Sequence, residues 1–298
     1  MAEVPGISGT VPGIGNLGSI ENKGVELAIN WRDQIGDWGY NVGANLTTIK
    51  NKVLSLVQDG YSIIAGDKSQ SYTMAGYPIG YFYGYKVEGV YQTDEEIAKS
   101  PKNTLATVTP GDLKFKDVNG DGKIDEYDKV PIGWGSVPEI MYGFGFSIGW
   151  KNLSLTAMFQ GAAHVDAMLS GEGVLPFSQG SSRGNLLSNI TDRWTEQNPS
   201  QDVFYPRLSI GNINMNYETS TWWLKNTDYL RLKNIELSYR LPDRWMKRIH
   251  LDNARVFIQG VNLLTFSSFK IWDVELGDGR GARYPNIASV SLGVNFNF

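Results

Sequence analysis

The chain has 298 residues, enough for one large domain or two ordinary ones. Hydrophobic residues make up 41% and charged residues 19%, with 34 Gly, 9 Trp, 15 Tyr and 12 Phe, a mix that favours extended β structure over helical bundles. The net charge of −4, with acids and bases interspersed, offers no basic face to a nucleic acid, and no cysteine is available for a disulfide.

The N-terminal MAEVPGISGTVPGIG has neither a basic region nor an apolar stretch and does not read as a secretory signal. No window approaches the roughly 18 unbroken apolar residues of a spanning helix, which leaves strands as the means of crossing a membrane. Period two then dominates. In Asn22–Asp33, Val25, Leu27, Ile29 and Trp31 share one face against Glu26, Ala28, Asn30 and Arg32. Trp38–Lys50 repeats the pattern with Tyr40, Val42, Ala44 and Leu46.

Between residues 51 and 138 the candidate strands Gly80–Tyr91 and Gly111–Asp117 are joined by a helical turn, TDEEIAKSP. Glu139–Trp150 then sets Tyr142, Phe144, Phe146, Ile148 and Trp150 against Gly143, Gly145, Ser147 and Gly149. Lys151–Gly161 follows. After a long irregular region come Asp228–Leu241, whose apolar side is interrupted by Arg231 and Lys233, then Asn253–Leu264 and the terminal SVSLGVNFNF.

Strands of about 10–13 residues are twice the ordinary globular length of about 5–6 and match a tilted crossing of a bilayer. Short links (RDQIGD, WKN and 241–252) alternate with long ones (51–79, 162–225 and 265–286), as short periplasmic turns and long external loops do in outer-membrane barrels. Tryptophans collect at the short links, where an interface selects amphipathic rings. Parity places any strands within 51–138 in an extracellular lobe. The alternative is a soluble β-sandwich with one wet face.

The lobe holds KDVNGDGKIDEYDKV. Counted from Asp117, oxygens fall at Asp117, Asn119, Asp121 and Asp125, Gly122 marks the sharp turn, the Lys123 carbonyl is available, and Asp128 stands twelfth. An all-oxygen set without His or Cys suits Ca²⁺. The twelfth residue is Asp rather than Glu and no long helix flanks the loop, so the expected role is a structural staple of an external loop rather than a sensor. The alternative is an Asp/Asn/Gly turn bonded to its own backbone.

Catalysis has no residue behind it. His164 and His250 have no partner at metal-ligand spacing, Glu95 and Glu96 belong to a solvated helix, and nothing brings Glu172 and Asp192 together. The chain is expected not to be an enzyme. The aromatics of the long links, Tyr72, Tyr77, Tyr81, Phe82, Tyr83, Tyr85, Tyr91, Phe177, Phe204, Tyr205, Trp222, Trp223, Trp272 and Tyr284, suit sugar rings, although packing of the links on one another accounts for most of them.

Taken in order, NKGVELAINW, YPIGYFYGYKVEGVYQTDEEI, PGDLKFKDVNGDGKIDEYDKVPIG, PEIMYGFGFSIGWKNLSLTAMFQG, DRWTEQNP, YLRLKNIELSYRLP, VFIQGVNLLTFSSF and SLGVNFNF resemble the SusC/RagA-type TonB-dependent outer-membrane transporters of Bacteroidetes. The resemblance implies an all-β fold, with residues 1–298 as the C-terminal part of a large antiparallel transmembrane β-barrel of 22 strands. It implies an outer-membrane importer of oligosaccharides or peptides, paired with a SusD-like surface lipoprotein, energised by the TonB complex and surrounded by outer-membrane lipid. The terminal Phe298 resembles the family's assembly signal. No stretch matches the family's signal peptide, TonB box or plug domain, so the chain is expected to be a fragment or a piece of a split transporter, unable to transport alone. Two further readings stay open: a soluble calcium-stabilised carbohydrate-binding β module, and a self-contained small outer-membrane barrel.

Overall fold

The computed structural model describes residues 18–56, 62–66, 70–171, 173–177, 186–210, 214–247, 251–277, 279 and 281–297. Seven long strands form one antiparallel sheet, ordered as they occur in the chain. They are β1 (Ser19–Ile35), β2 (Trp38–Ser55), β3 (Ile140–Trp150), β4 (Leu153–Ala163), β5 (Tyr229–Arg240), β6 (Asn253–Phe266) and β7 (Ser289–Asn297). All seven alternating stretches of the sequence are therefore wall strands. The large antiparallel sheet carrying long links at one end is the architecture expected of a barrel wall. Phe298 lies outside the described residues.

Register carries the apolar face across the whole sheet. Ile35 opposes Trp38, Trp38 opposes Trp150, Trp150 opposes Leu153, and Leu153 opposes Tyr239, so an aromatic row runs beside the short links. Trp38 and Trp150 stack with their ring centres 5.9 Å apart. The row through Asp33, Tyr40, Ile148, Leu155 and Leu237 comes next, and further along the same face lie the rows through Trp31, Val42, Phe146, Ala157 and Ile235 and through Leu27, Leu46 and Tyr142. Val25, Leu27, Ile29 and Trp31 are all more than half exposed, a large apolar surface that water does not tolerate and acyl chains do. No described helix is long and apolar enough to cross a membrane.

Strand β5 departs from simple alternation in a way that changes its faces. Lys233 sits in a β-bulge, since Phe159 faces Leu232 while Met158 faces Asn234. The extra residue exchanges the two faces of β5. Leu230 and Leu232 thereby join the apolar side, opposite Phe266 and Leu264, and Arg231 turns inward beside Gln160. The sequence reading put Tyr229 and Arg231 on the apolar face; the bulge is the reason they are not.

The three long links leave the same end of the sheet and pack into one cap. Within the first, Ser62–Ala65, Ser71–Met74, Tyr81–Gly84 and Val130–Pro131 form a small sheet, and Val87–Val90 pairs with Leu113–Phe115. The expected helical turn is α1 (Asp94–Lys99), capped by the Thr93 hydroxyl, which accepts the Glu96 amide at 3.2 Å. Phe82 and Ile132 of this link, Met168, Tyr205, Tyr217 and Trp223 of the second and Phe269 and Val274 of the third share one buried cluster. A neighbouring cluster joins Tyr85, Leu113, Phe115 and Ile124 to Trp194 and Met215. Apolar burial thus fuses loops that the sequence shows only as separate irregular stretches.

Candidate functional site

On β2, β3 and β4 the face opposite the apolar band is polar, small and uncharged. A groove of about 330 Å³ crosses it, lined by Asn30, Asn41, Gly43, Asn45, Gly143 and Gly145 among others. Glycine lets the amide side chains lie close over the backbone in the arrangement seen. A Cβ on Gly43 would stand 2.6 Å from the Asn30 side-chain oxygen, and one on Gly143 would stand 2.8 Å from that of Asn45. Hydroxyls join across the face as well, with Thr156 donating to Ser147 at 3.0 Å. Such a surface presents donors and acceptors without fixed charge, which suits passage of hydrated polar solutes.

Toward the cap the inner face becomes charged and dry. The Arg231 guanidinium donates to Asp273 at 2.7 Å, to Glu275 at 3.0 Å and to the Thr265 hydroxyl at 2.9 Å. Lys233 reaches both Glu275 oxygens, Tyr229 donates to Glu275 at 2.9 Å, and the Asn286 side-chain amide also bonds Glu275. This network holds the third long link against β5. Burial pushes the Asp273 carboxyl up, but the hydrogen bonds from Arg231 and from the Glu275 and Asn286 amides outweigh it and leave the group below its ordinary 3.8.

A second polar hub sits inside the cap. Buried Asp112 accepts from Arg207 at 3.1 Å, Asn214 at 2.7 Å, Asn216 at 3.0 Å and the Thr109 amide at 2.9 Å. Around it most of the cap aromatics are interior: Tyr81, Phe82, Tyr85, Tyr91, Tyr205 and Trp223 are buried, whereas Tyr284 is 80% exposed. Packing is therefore their main work. Tyr72, Tyr77, Tyr81 and Tyr83 cluster with ring centres 4.7 to 6.3 Å apart. Burial first, and then the neighbouring tyrosines, push the Tyr81 hydroxyl up to about 12.

The turn at 117–128 closes on itself. Asp117 accepts the amides of Gly120 and Gly122, Asn119 that of Asp121, Asp121 that of Lys123, and Asp125 that of Tyr127. Asp128 is buried and spans the loop, accepting Val118 at 2.8 Å and Asp125 at 2.9 Å. Lys123 and Ile124 pair in parallel with Lys102 and Asn103. Among the described residues no group of three or more His, Cys, Asp or Glu is placed to hold a metal ion. The turn is an Asx-bonded loop whose carboxylates cap backbone amides.

His164 is a packing residue. Its ring stacks on Trp134 at 3.9 Å with a 5° tilt, and its Nδ1 lies 3.3 Å from Glu139. His250 and Glu172 lie outside the described residues. The sequence reading did not pick out Arg231, Glu275 and Asp273 as a set, because strand β5 and the link at 267–288 meet only through the fold.

Known proteins carry the same wall and cap. No family model matches the chain. The TonB-dependent receptor P3 of Formosa agariphila is 30% identical over 321 residues, covering 99% of this chain and 30% of that receptor. SusC of Bacteroides thetaiotaomicron is 25% identical over 304 residues, covering 95% of this chain. The chain is similar along nearly its whole length to one section of TonB-dependent receptors, SusC among them. It spans 30% of the length of the Formosa receptors P3 and P26 that it matches. Among solved structures the RagAB peptide transporter superposes with a TM-score of 0.77 at 24% identity, over 100% of this chain and 31% of that one. The RagAB importer in its open-open state gives 0.75. These likenesses establish that the seven strands and their cap form a section of a TonB-dependent receptor barrel.

Proposed function

We propose that this receptor segment forms part of the wall and the extracellular cap of an outer-membrane importer for oligosaccharides or peptides. It works with a SusD-like lipoprotein seated on the cap and with TonB acting through other parts of the transporter. One observation carries the reading: an apolar outer face, a polar inner face, and all three long links gathered at one end. A soluble module would have no use for Val25, Leu27, Ile29 and Trp31 exposed side by side. Transport rather than catalysis is supported by a polar groove whose described lining brings no acid–base or nucleophilic groups together. The likeness to RagAB, a peptide importer, supports a polar oligomeric solute.

In the same reading the turn at 117–128 stiffens the cap. A Ca²⁺ ion there would share Asp117, Asn119, Asp121 and Asp125 with the amides they already cap, using the second lone pair of each oxygen. Asp128, folded inward, would remain a brace of the loop.

Topology is directly testable because the chain has no cysteine. Tyr127→Cys is placed on the cap and Asp37→Cys at a short link. A membrane-impermeant maleimide applied to intact cells is expected to label the first, and the second only after the outer membrane is permeabilised. Labelling of Asp37→Cys in intact cells would overturn the orientation.

A further inference from the structure

We propose that the outer rim of the β1–β2 hairpin binds the phosphates of an outer-leaflet lipid through Lys23, Lys50 and Lys52. The proposal rests on the membrane reading above. On the outer face of this hairpin the cross-strand pairs run Ile35/Trp38, Asp33/Tyr40, Trp31/Val42, Ile29/Ala44, Leu27/Leu46 and Val25/Thr48. From Ile35 to Val25 the strand advances about 33 Å, which at a barrel tilt of about 40° spans the roughly 25 Å apolar band of a transmembrane wall. The next two pairs on that face are Lys23/Lys50 and Glu21/Lys52. They stand at headgroup height on the end that bears the cap.

The composition of those two pairs points to an anion. Lys23 and Lys50 are directly opposed, an arrangement that is unfavourable for like charges. Glu21 is already engaged, its carboxylate lying 2.9 Å from the Lys23 amine. Among the described residues no carboxylate pairs with Lys50 or Lys52, and both are exposed. Lysines that guard a free sheet edge would account for Lys23 alone. Lys50 and Lys52 lie on β2, which has β1 on one side and, up to Thr48, β3 on the other. Three amines against one acid, set just above an apolar wall, match the phosphate groups of a lipid whose chains pack on that wall.

The test uses the transporter extracted from outer membranes in the assembly in which it occurs, studied by native mass spectrometry in detergent. Bisphosphorylated lipid A and its dephosphorylated counterpart are titrated into wild type, Lys50→Gln/Lys52→Gln and a charge control, Lys102→Gln/Lys116→Gln, whose lysines are exposed on the cap. Wild type and the control are expected to prefer the phosphorylated lipid. Loss of two amines is expected to weaken that lipid about 30-fold and leave the dephosphorylated one unchanged. An unchanged preference in Lys50→Gln/Lys52→Gln, or an equal fall in the control, would overturn the site. Recovery of wild type in the soluble fraction without detergent would instead overturn the membrane reading on which it rests.

Discussion

Arg231 and Asp273 meet at 2.7 Å with side chains only 4% and 8% exposed, joining wall strand β5 to the last long link. The contact exists because the bulge at Lys233 turns Arg231 off the apolar face. Replacing Arg231 with Ala leaves Asp273 and Glu275 as neighbouring acids without their main counter-charge. Breaking such a pair costs about 3–5 kcal/mol. The expected result is release of the link at 267–288 from the wall, read as faster hydrogen exchange there and faster tryptic cleavage at Lys270 and Arg283. Unchanged protection in Arg231→Ala would show that the link is held by its apolar contacts through Phe269 and Val274 alone.

The same pair sets an acid limit on the cap. Asp273 is held below its ordinary 3.8 in the folded state, so its contribution to stability is complete above that value. It is lost as pH falls through the depressed folded value, because the unfolded chain takes up the proton first. Acidification is therefore expected to loosen the third link before the wall opens. Asp273→Asn should remove this acid step. Proteolysis profiles of the two proteins across the acid range check it, and an identical acid step in Asp273→Asn would reject the assignment.

The wall was legible in the sequence because each strand carries its own signal. Tyr142, Phe144, Phe146, Ile148 and Trp150 against Gly143, Gly145, Ser147 and Gly149 need no partner to be read as one strand with two faces. Strand ends were less legible. β2 continues from Lys50 to Ser55, where apolar alternation has stopped but backbone pairing with β1 persists. The face of Arg231 could not be read, since a bulge is a relation between two strands. Packing of the links on one another was expected from their aromatics, but the partners could not be read for the same reason: Phe82, Trp223 and Val274 belong to three links and meet only in the fold.

Trp223 is the centre of that cap core. Its ring lies about 6 Å from those of Phe204, Tyr205 and Tyr217, and its indole N–H donates to the Asn216 carbonyl at 2.7 Å. Trp223→Ala opens a cavity and orphans that carbonyl, at a cost of about 3–5 kcal/mol. Tyr127→Ala, at a residue 83% exposed, should change stability by less than about 0.5 kcal/mol. Thermal unfolding of the two variants followed by near-ultraviolet circular dichroism makes the comparison. Equal midpoints would mean that the cap is not the cooperative unit described here.

The turn at 117–128 separates two kinds of carboxylate. Asp128 is buried and closes the loop through the amides of Val118 and Asp125, so Asp128→Ala leaves two donors without partners, at about 1–3 kcal/mol each. Asp121 is exposed and caps the Lys123 amide alone, so Asp121→Ala should cost no more than about 1 kcal/mol without added ions. Calcium distinguishes the variants differently. If an ion shares the alternate oxygens, calorimetry gives a binding heat in wild type that Asp121→Ala lacks, and the ion raises the unfolding temperature of wild type alone. Equal heats in the two proteins would dispose of the cation. The loop would then be braced by Asp128 and its amides, and the cost of Asp128→Ala would stand unchanged with calcium or with a chelator.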